Sequence, residues 1–471
     1  MKGIRHIIGT VGMLMALLPA CHVGRNYSRP ALPLPASFDQ QTTSDTASIA
    51  EIPWKSFFTD LVLQELIDRT LAHNYDLKLA LTNIDVAEAS FKQAGVAWLP
   101  SLNAQLQSST TTPSKNSLNG RSLETFIGTT HLEDYTASLT FAWEIDIWGK
   151  IRRQKEAALA SYLRTQEAAR TVQTQLVAAT AQGYYNLLML DAQLEIARQN
   201  LLLSDSTLFI MGLQKTAGEV TQLAVQQAEA QKQTVALLIP QLEEAIAIQE
   251  NALRLLNGTL PGQIDRRLSL RQAEVPDSLA TGFPSLIVSR RPDVRASEQA
   301  LIAANARLGV AQANLYPTLT ISATSGLNAF KASNWFSIPS SLFGLATGSL
   351  TQPVFQRRGL RTQVELNCIG REQSVILFRQ SVLTAVSEVS NALIRLEKLR
   401  VQREIAIARV ETLQLAIGNA RLLFNSGLAN YLEVILAQSN VLQSQLALAD
   451  LERQHLGAMV ELYRALGGGW Q

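Results

Sequence analysis

A change of hydrophobic period that occurs twice, at a constant spacing, constrains the fold of this chain most. Residues 292–314 are Ala-rich with apolar residues at helical spacing, and Pro317 ends that pattern before a strict apolar–polar alternation begins. The same switch occurs at residues 74–97, where Pro100 precedes the alternating residues 101–107. One constant shift along the chain places Asp76 on Asp293, Pro100 on Pro317 and Leu102 on Leu319. The sequence therefore predicts an internal duplication with the unit helix, strand, loop, strand, long helix, turn and long helix.

Three of the four predicted strands have one apolar and one polar face. The second runs from Tyr135 to Ile147, and the fourth, Leu342 to Phe355, alternates poorly and contains Pro353. Such alternation over about 8–13 residues is typical of membrane β-barrels, whose crossings need about 9–11 residues. A water-soluble antiparallel sheet that packs its apolar face on helices is the alternative. Trp143 and Trp148 are expected either in an aromatic girdle at the membrane surface or against the helices.

Two very long helices are predicted, because residues 150–211 and 359–424 contain no proline. At about 1.5 Å per residue each would be roughly 90–100 Å long. Apolar residues in the first recur every ~3.6 residues, as expected for nearly straight helices packed side by side. Each is predicted to end in a glycine turn, with Gly218 before an N-cap at Thr221 and Gly427 before an N-cap at Asn430.

The first residues have the pattern of a bacterial lipoprotein signal. A basic start is followed by the apolar run 7–18 and by Leu-Pro-Ala-Cys, so residues 1–20 are predicted to be a signal peptide and Cys21 the lipid attachment site. An ordinary signal peptide is the alternative. His22 follows in place of the Asp that holds lipoproteins at the inner membrane, which favours the outer membrane. Residues 21–59 are read as an acylated N-terminus and extended linker, followed by repeats at 60–270 and 271–471.

Charge and motif content exclude several functional classes. The chain has 41 Lys and Arg against 39 Asp and Glu, a balance that does not favour nucleic acid as a partner. It contains no Cys/His cluster at metal-ligand spacing, no phosphate-binding loop and no hydrolase motif, so we predict no enzyme activity, cofactor or metal site. Only Met189, Met211 and Met459 follow the signal, which disfavours a dedicated copper or silver channel. Cys368 is expected to be a buried small hydrophobe.

Four strands cannot close a membrane barrel, since such barrels begin at about eight strands. Open strand edges in lipid would leave unpaired backbone groups that each cost several kcal/mol. If the strands lie in a membrane, the chain must oligomerise. Physical argument alone leaves dimer, trimer and tetramer open.

Four stretches resemble the outer membrane factor family, in particular the TolC/OprM/NodT type of efflux lipoprotein. They are Cys21 to Pro30 (with Arg25 in place of the family's usual Pro), Arg290 to Glu298, the residues Tyr431-Leu432-Glu433-Val434, and Ala465 to Trp470. The resemblance covers essentially the whole chain. It implies an α+β membrane protein, a homotrimer in which four strands per chain complete a twelve-stranded β-barrel continued by a long periplasmic helical barrel.

The same resemblance implies a function and partners. The chain would be the outer membrane channel of a tripartite efflux system, a passive exit duct anchored to outer membrane lipid. It would carry drugs or other small toxic compounds from an inner membrane RND pump, beside a periplasmic membrane-fusion adaptor. Two alternatives remain: an exit duct of a type I secretion system, and a structural coiled-coil envelope lipoprotein without a pore.

The resemblance also implies site residues. Leu432 and Glu433 correspond to the family's periplasmic gate, and the turns at Gly218 and Gly427 are the expected adaptor-docking surface. Leu436 stands where a second acidic residue is usual, so the acidic ring is thinner and a more apolar constriction would close by excluding water. Ordinary helix packing is the alternative for Leu432. Glu433 has capping-box spacing from Asn430, which is its alternative role.

Overall fold

The structure, a computed structural model, describes residues 23–32, 48–273 and 284–470. Cys21 and residues 33–47 of the predicted linker lie outside the described residues. Within those ranges, none of the helices is long and apolar enough to cross a membrane. The helices are α1 (Trp54–Phe57), α2 (Leu61–His73), α3 (Tyr75–Val96), α4 (Leu118–Phe126), α5 (Lys150–Thr216), α6 (Gln222–Leu256), α7 (Pro284–Arg290), α8 (Pro292–Ala313), α9 (Gly359–Asn425) and α10 (Tyr431–Ala465). The strands are β1 (Ser101–Thr111), β2 (Leu132–Ile145), β3 (Thr318–Ala329) and β4 (Leu342–Thr351).

The described elements occur in two series of matching length. α3 and α8 have 22 residues each, α5 and α9 have 67 each, and α6 and α10 have 35 each. In both series the 22-residue helix is followed by two strands and then by the two longer helices. This is the order that the repeated period switch predicts. Each long helix is one unbroken element, and α6 continues through Pro240.

The chain divides into two compact units, and the division falls within α3, α5, α8 and α9. The first unit, formed among the described residues by 23–30, 85–163 and 299–376, contains all four strands. They form one antiparallel sheet in the order β1-β2-β3-β4. Among the described residues, the outer edges of β1 and β4 therefore have no strand partner.

One face of this sheet is apolar, as the alternation predicts. The register places Leu102 opposite Phe141, and Phe141 opposite Ala323 on the next strand. β4 ends at Thr351 rather than at the predicted Phe355. Pro353 lies just beyond that end, and proline lacks the N–H that a strand ladder uses. The following Val354 and Phe355 are exposed.

The residues that follow Cys21 are bound to the first unit. The Val23 amide donates to the Trp148 carbonyl at 3.3 Å, and the Asn305 side chain donates to the Arg25 carbonyl at 3.0 Å. The Arg153 guanidinium donates to the Asn26 side chain at 2.8 Å. The N-terminal segment thus begins beside the end of β2.

Cys368, on α9 in this unit, is exposed, so the expectation that it is buried was wrong. Its neighbours Leu366 and Ile369 are exposed as well. The apolar pattern of this part of α9 therefore marks a surface that the single chain leaves uncovered, and not a core.

The second unit, formed by the described residues within 31–84, 164–298 and 377–470, is helical and contains most of the buried core. The ring of Tyr463 stacks on Phe57 at 4.2 Å between centroids and meets Phe58 edge-on. One set of buried polar side chains here is paired: the Thr70 hydroxyl bonds with the Asn257 side chain at 2.6 Å and lies 3.1 Å from the Thr180 hydroxyl. These contacts hold α2, α5 and the end of α6 together.

Candidate functional site: the two hairpin turns

The first long helix ends in a left-handed glycine turn. Gly218 has φ of 86°, its amide donates to the Lys215 carbonyl, and the Glu219 amide donates to the Gln214 carbonyl at 2.9 Å. This pair of bonds is the Schellman motif, which satisfies the last carbonyls of a helix. Thr221 then caps α6 by accepting from the Ala224 amide, as predicted.

The second long helix ends in the same way. Gly427 has φ of 71°, its amide donates to the Phe424 carbonyl, and the Leu428 amide donates to the Leu423 carbonyl at 2.9 Å. A Cβ atom added at Gly218 or at Gly427 would meet no atom within 4 Å among the described residues. Both turns therefore project into open space, and their glycines are required by backbone conformation and not by close packing.

Leu432 and Glu433 lie in the first turn of α10, directly after the N-cap Asn430. The Asn430 side chain accepts from the Leu432 amide at 3.3 Å. The reciprocal bond of a capping box is not formed, because the exposed Glu433 carboxylate has no hydrogen-bond or ion-pair partner among the described residues. The capping-box interpretation of Glu433 was therefore wrong, and the carboxylate remains available to solvent.

The two faces of α10 differ near this turn. Leu432 is 47% exposed and Leu436, one turn later on the same face, is 62% exposed. Val434 and Gln438 are buried, and the Gln438 amide donates to the Thr207 hydroxyl of α5 at 2.6 Å. Packing on α5 thus fixes the rotation of α10 about its axis. Its exposed residues here include Leu432 and Leu436, with the exposed Glu433 between them in the sequence.

A cluster of charged side chains surrounds Arg291, which belongs to the Arg290 to Glu298 stretch. The Arg291 side chain is 4% exposed, and its guanidinium donates to Asp293 at 2.6 Å, to Glu388 at 2.7 Å and to the Ala465 carbonyl at 3.1 Å. Burial alone raises the pKa of Asp293, but the hydrogen bonds and charge of Arg291 outweigh it and hold that pKa below its ordinary value. The arrangement is structural, since it satisfies a buried cation with fixed acceptors.

A cavity of about 370 Å³, lined mainly by residues with polar side chains, lies in the second unit beside this cluster. Glu388, on its wall, also accepts from Arg464, so this carboxylate is already neutralised by two guanidinium groups. No group of three or more potential metal ligands from His, Cys, Asp and Glu occurs in the part of the chain that the structure describes. Met189, Met211 and Met459 are buried in the helical core. The cavity lining includes Gln182, Tyr185, Asn391, Arg395, Arg453 and Gln454.

Comparison with known proteins places this fold. The family model described as outer membrane efflux protein matches residues 66–259 and again residues 283–468. The chain is 30% identical over 467 residues to the cation efflux system protein CusC of Escherichia coli O6:H1, covering 96% of this chain and 97% of that protein.

Two further proteins are similar to this chain over nearly its whole length. The chain is 30% identical over 469 residues to the probable efflux pump outer membrane protein TtgC of Pseudomonas putida, covering 96% of this chain and 94% of TtgC. The structure of the outer-membrane channel OprN matches with a TM-score of 0.87 and 25% sequence identity, covering 96% of this chain and all of the OprN chain.

Proposed function

The chain belongs to the outer membrane efflux protein family, and from this premise we propose that it is the passive exit duct of a tripartite efflux system in the cell outer membrane. It carries drugs or other small toxic compounds that an inner membrane RND pump delivers through a periplasmic membrane-fusion adaptor. The observation that carries the proposal is the double match of the family model, each match ending in a pair of long helices joined by a glycine turn.

The working form in this proposal is a homotrimer with a twelve-stranded barrel. Each chain contributes one four-stranded sheet whose two edges lack a partner among the described residues. An unpaired edge cannot persist in hydrocarbon, because each unsatisfied backbone group costs several kcal/mol there. Three copies supply twelve strands, well above the minimum of about eight for a closed membrane barrel.

The duct closes at the turn between α9 and α10. Leu432 and Leu436 supply an apolar surface that expels water when three copies converge, and Glu433 supplies one carboxylate per copy. An apolar constriction blocks the passage of ions when water leaves it, so the leucines contribute the larger part of the barrier to ion flow. The exposed turns at Gly218 and Gly427 are the surface on which the adaptor docks.

The lipid anchor is Cys21. The described segment that follows it is held beside the end of β2 by the Val23 amide and the Arg153 guanidinium. Several acyl chains at this position anchor the chain firmly, since each buried CH₂ contributes about 0.8 kcal/mol.

Organic compounds are favoured over soft metal cations as cargo. The thioethers of Met189, Met211 and Met459 are packed in the core and present no soft ligand to a lumen. Deletion of the gene, or of the gene for its pump, is expected to increase sensitivity to antibiotics or solvents while leaving copper and silver tolerance unchanged. The reverse pattern would exclude this substrate class but leave the duct intact.

The duct itself is tested by single-channel conductance of the purified mature protein in planar bilayers. We expect a small, steady wild-type conductance that rises in Leu432→Ala. Leu223→Ala is the matched control: Leu223 is also exposed and occupies the second residue of α6, as Leu432 does in α10. Absence of current in folded, membrane-inserted protein, both wild type and Leu432→Ala, would support a structural lipoprotein without a pore.

A type I secretion duct is distinguished by its partner. Co-expression with an ATP-driven exporter would then restore secretion of a polypeptide, whereas the proposed duct restores drug resistance only with a proton-driven pump. Each result selects one of the two transport roles, and both retain the channel.

A further inference from the structure

We propose that β4 of one copy pairs with β1 of the next in a single defined register, with Leu350 opposite Leu106 and Val354 opposite Leu102. The proposal rests on the trimeric duct of the preceding section and specifies how its sheets join. It follows from a symmetry between the two halves of the chain that the structure displays in detail.

Two constant offsets relate the halves. The first offset carries α3 and β1 onto α8 and β3, and it equals the spacing from Tyr75 to Pro292, the first residues of the two helices. The second offset applies from the end of β2 onward and is slightly shorter, being the spacing from Lys150 to Gly359, the first residues of α5 and α9.

Strand pairing obeys both offsets together. Ser101 pairs with Ala142 in the β1–β2 ladder. The first offset carries Ser101 onto Thr318, the second carries Ala142 onto Thr351, and these two residues pair in the β3–β4 ladder. The two hairpins of the chain therefore have the same register.

A hydrogen bond is repeated by residues of different chemistry, which makes the correspondence more than a matter of element length. The Trp143 indole donates to the Trp98 carbonyl at 2.9 Å. At the corresponding positions of the second half, the Gln352 side-chain amide donates to the Leu315 carbonyl at 3.1 Å. The same side-chain-to-carbonyl hydrogen bond is therefore present at the base of the strands in both halves, although the donor is an indole in one and a carboxamide in the other.

The backbone conformation of the residue directly before each long helix is preserved as well. Gly149, which precedes α5, has φ of 78°, and its counterpart Arg358, which precedes α9, has φ of 65°. A left-handed conformation is uncommon for a residue with a Cβ atom. Its occurrence at Arg358 indicates that the residue directly before the long helix has kept its conformation. The residue before it differs, since Arg357 has φ of 49° and its counterpart Trp148 is not left-handed.

The pairing of β2 with β3 has no counterpart within the chain, because its equivalent joins β4 to β1 and these lie at opposite edges of the sheet. Phe141 and Ala323 pair within the chain. The second offset carries Phe141 forward onto Leu350, and the first offset, applied backward, carries Ala323 onto Leu106, so Leu350 and Leu106 are expected to pair between copies. The same two steps convert Ile145–Leu319 into Val354–Leu102.

The predicted register also satisfies an independent requirement. Leu102 and Leu106 lie on the apolar face of the sheet, and a slip of one residue would bring the polar face of one strand beside the apolar face of the other. The offsets give even-numbered residues of β1 opposite even-numbered residues of β4, so the apolar face continues across the junction. Val354, 94% exposed in the single chain, gains a neighbour in Leu102.

β4 then extends beyond Thr351 to the residue that corresponds to Ile145, the last residue of β2. Pro353 does not prevent this, because odd-numbered residues of β4 direct their backbone groups to β3, as the bond from the Asn328 amide to the Ser341 carbonyl shows.

A side-chain contact at the junction follows from the same offsets. Within the chain, the Trp148 indole donates to the Pro317 carbonyl at 2.7 Å and its ring stacks on Tyr316. The corresponding residues are Arg357 and, on the neighbouring copy, Pro100. Arg357 has no ion-pair or hydrogen-bond partner for its side chain within the described residues, and its guanidinium takes the place of the indole as donor to the Pro100 carbonyl.

Disulfide trapping in the full mature chain tests the register. In a Cys368→Ser background, which removes the free thiol, Leu106→Cys combined with Leu350→Cys is expected to give covalent dimers and trimers under mild oxidation, reversed by a reductant. Bonds within one chain are excluded because β2 and β3 separate the two strands by about 14 Å, at about 4.8 Å per strand spacing.

Two control pairs represent slips of two residues that keep the faces matched: Leu350→Cys with Ala104→Cys, and Leu350→Cys with Ser108→Cys. Their Cβ atoms would be about 7–8 Å apart, too far for a disulfide. We expect them to remain monomeric on a denaturing gel. A control pair that cross-links while Leu106→Cys/Leu350→Cys does not would overturn the register.

The remaining outcomes distinguish a failure of the proposed register from a failure of the proposed channel function. If all three pairs stay unlinked in protein that is trimeric by light scattering and conducts, the register is wrong and the duct stands. If the chain is monomeric and gives no current, both are wrong.

The Arg357 contact has its own test. Arg357→Leu is expected to lower the temperature at which the detergent-resistant trimer dissociates. Arg357→Lys keeps a hydrogen-bond donor, so its dissociation temperature should stay close to that of the wild type. Arg358→Leu is the matched control, since Arg358 is bonded to Glu365 within its own chain. Equal effects of Arg357→Leu and Arg357→Lys would exclude the hydrogen bond to Pro100.

Discussion

Arg291 donates a hydrogen bond of 2.7 Å to Glu388, although 97 residues separate the two in the chain. Arg291 precedes α8, Glu388 lies near the middle of α9, and the same guanidinium reaches the Ala465 carbonyl at the end of α10. Three helices thus meet on one buried cation. A buried charge of this kind is stable only while its acceptors are present, because an unpaired charge pays its full desolvation cost.

Replacing Glu388 by Gln should therefore destabilise the protein. The substitution removes the charge that faces both Arg291 and Arg464, while Asp293 continues to pair with Arg291. We expect a loss of about 1–3 kcal/mol in the free energy of unfolding, the range for hydrogen bonds to charged groups and their unsatisfied partners. Unfolding in detergent, followed by circular dichroism, measures it.

Glu404→Gln on the same helix is the control, since Glu404 is exposed. Its effect should stay within about 0.5 kcal/mol, as for most surface substitutions. Equal losses in the two variants would show that the Arg291 cluster contributes no more than a surface charge.

The pKa of Asp293 predicts how stability depends on pH. Because this pKa lies below its ordinary value in the folded protein, Asp293 contributes stability above the unfolded-state pKa of about 3.9. That contribution is lost as the pH falls through the lowered folded-state pKa. We expect the melting temperature of the wild type to fall more steeply between about pH 5 and pH 3 than that of Asp293→Asn. Parallel profiles would contradict the linkage.

The sequence predicted the helices and the strands of the first half well, for identifiable reasons. Proline is absent from α5 and α9, so each runs unbroken, and the glycines after them adopt a left-handed turn, so the C-terminal end of each long helix is encoded locally. The N-caps Thr221 and Asn430 are local as well. Such features depend on one or two residues and need no knowledge of tertiary contacts.

Features that depend on distant residues were missed. The end of β4 could not be derived because the alternation there is weak, and the strand beside it is not part of the same chain in our proposal. The Arg291–Glu388 bond joins residues with no sequence signal for their proximity. The Gln352–Leu315 bond had a signal, since the second offset carries Trp143 onto Gln352, but only the structure shows that Trp143 donates a hydrogen bond.

The candidate site was predicted in position but not in every contact. Leu432 and Glu433 lie directly after the turn, as the resemblance implies. The capping box was wrong because the Glu433 side chain stays hydrated, and a surface hydrogen bond that replaces one to water gains only about 1 kcal/mol before the side chain's entropy is subtracted. The gate and docking roles remain predictions.

Lipid attachment at Cys21 is tested by metabolic labelling with palmitate. The wild type should incorporate label and fractionate with the outer membrane, because the acylated cysteine becomes the mature N-terminus. Cys21→Ala should lose the label and the anchor. Cys368→Ala, which removes the other cysteine of the chain, should retain both. If Cys21→Ala retained the label and Cys368→Ala lost it, Cys368 and not Cys21 would be the acylated residue.

Two glycines of α5 predict opposite effects of the same substitution. A Cβ atom at Gly183 would lie 2.8 Å from a methyl carbon of Leu253 on α6, and Leu253 is fully buried, so neither side chain has room to move. Gly183→Ala should therefore lower the free energy of unfolding by about 1–3 kcal/mol, as overpacked cores do. At Gly212 an added Cβ atom meets nothing within 4 Å, and alanine is favoured over glycine in a helix interior by about 0.5–1 kcal/mol. Gly212→Ala should thus raise stability slightly. Urea unfolding in detergent measures both, and a stabilised Gly183→Ala would show that α5 and α6 approach less closely than the structure has them.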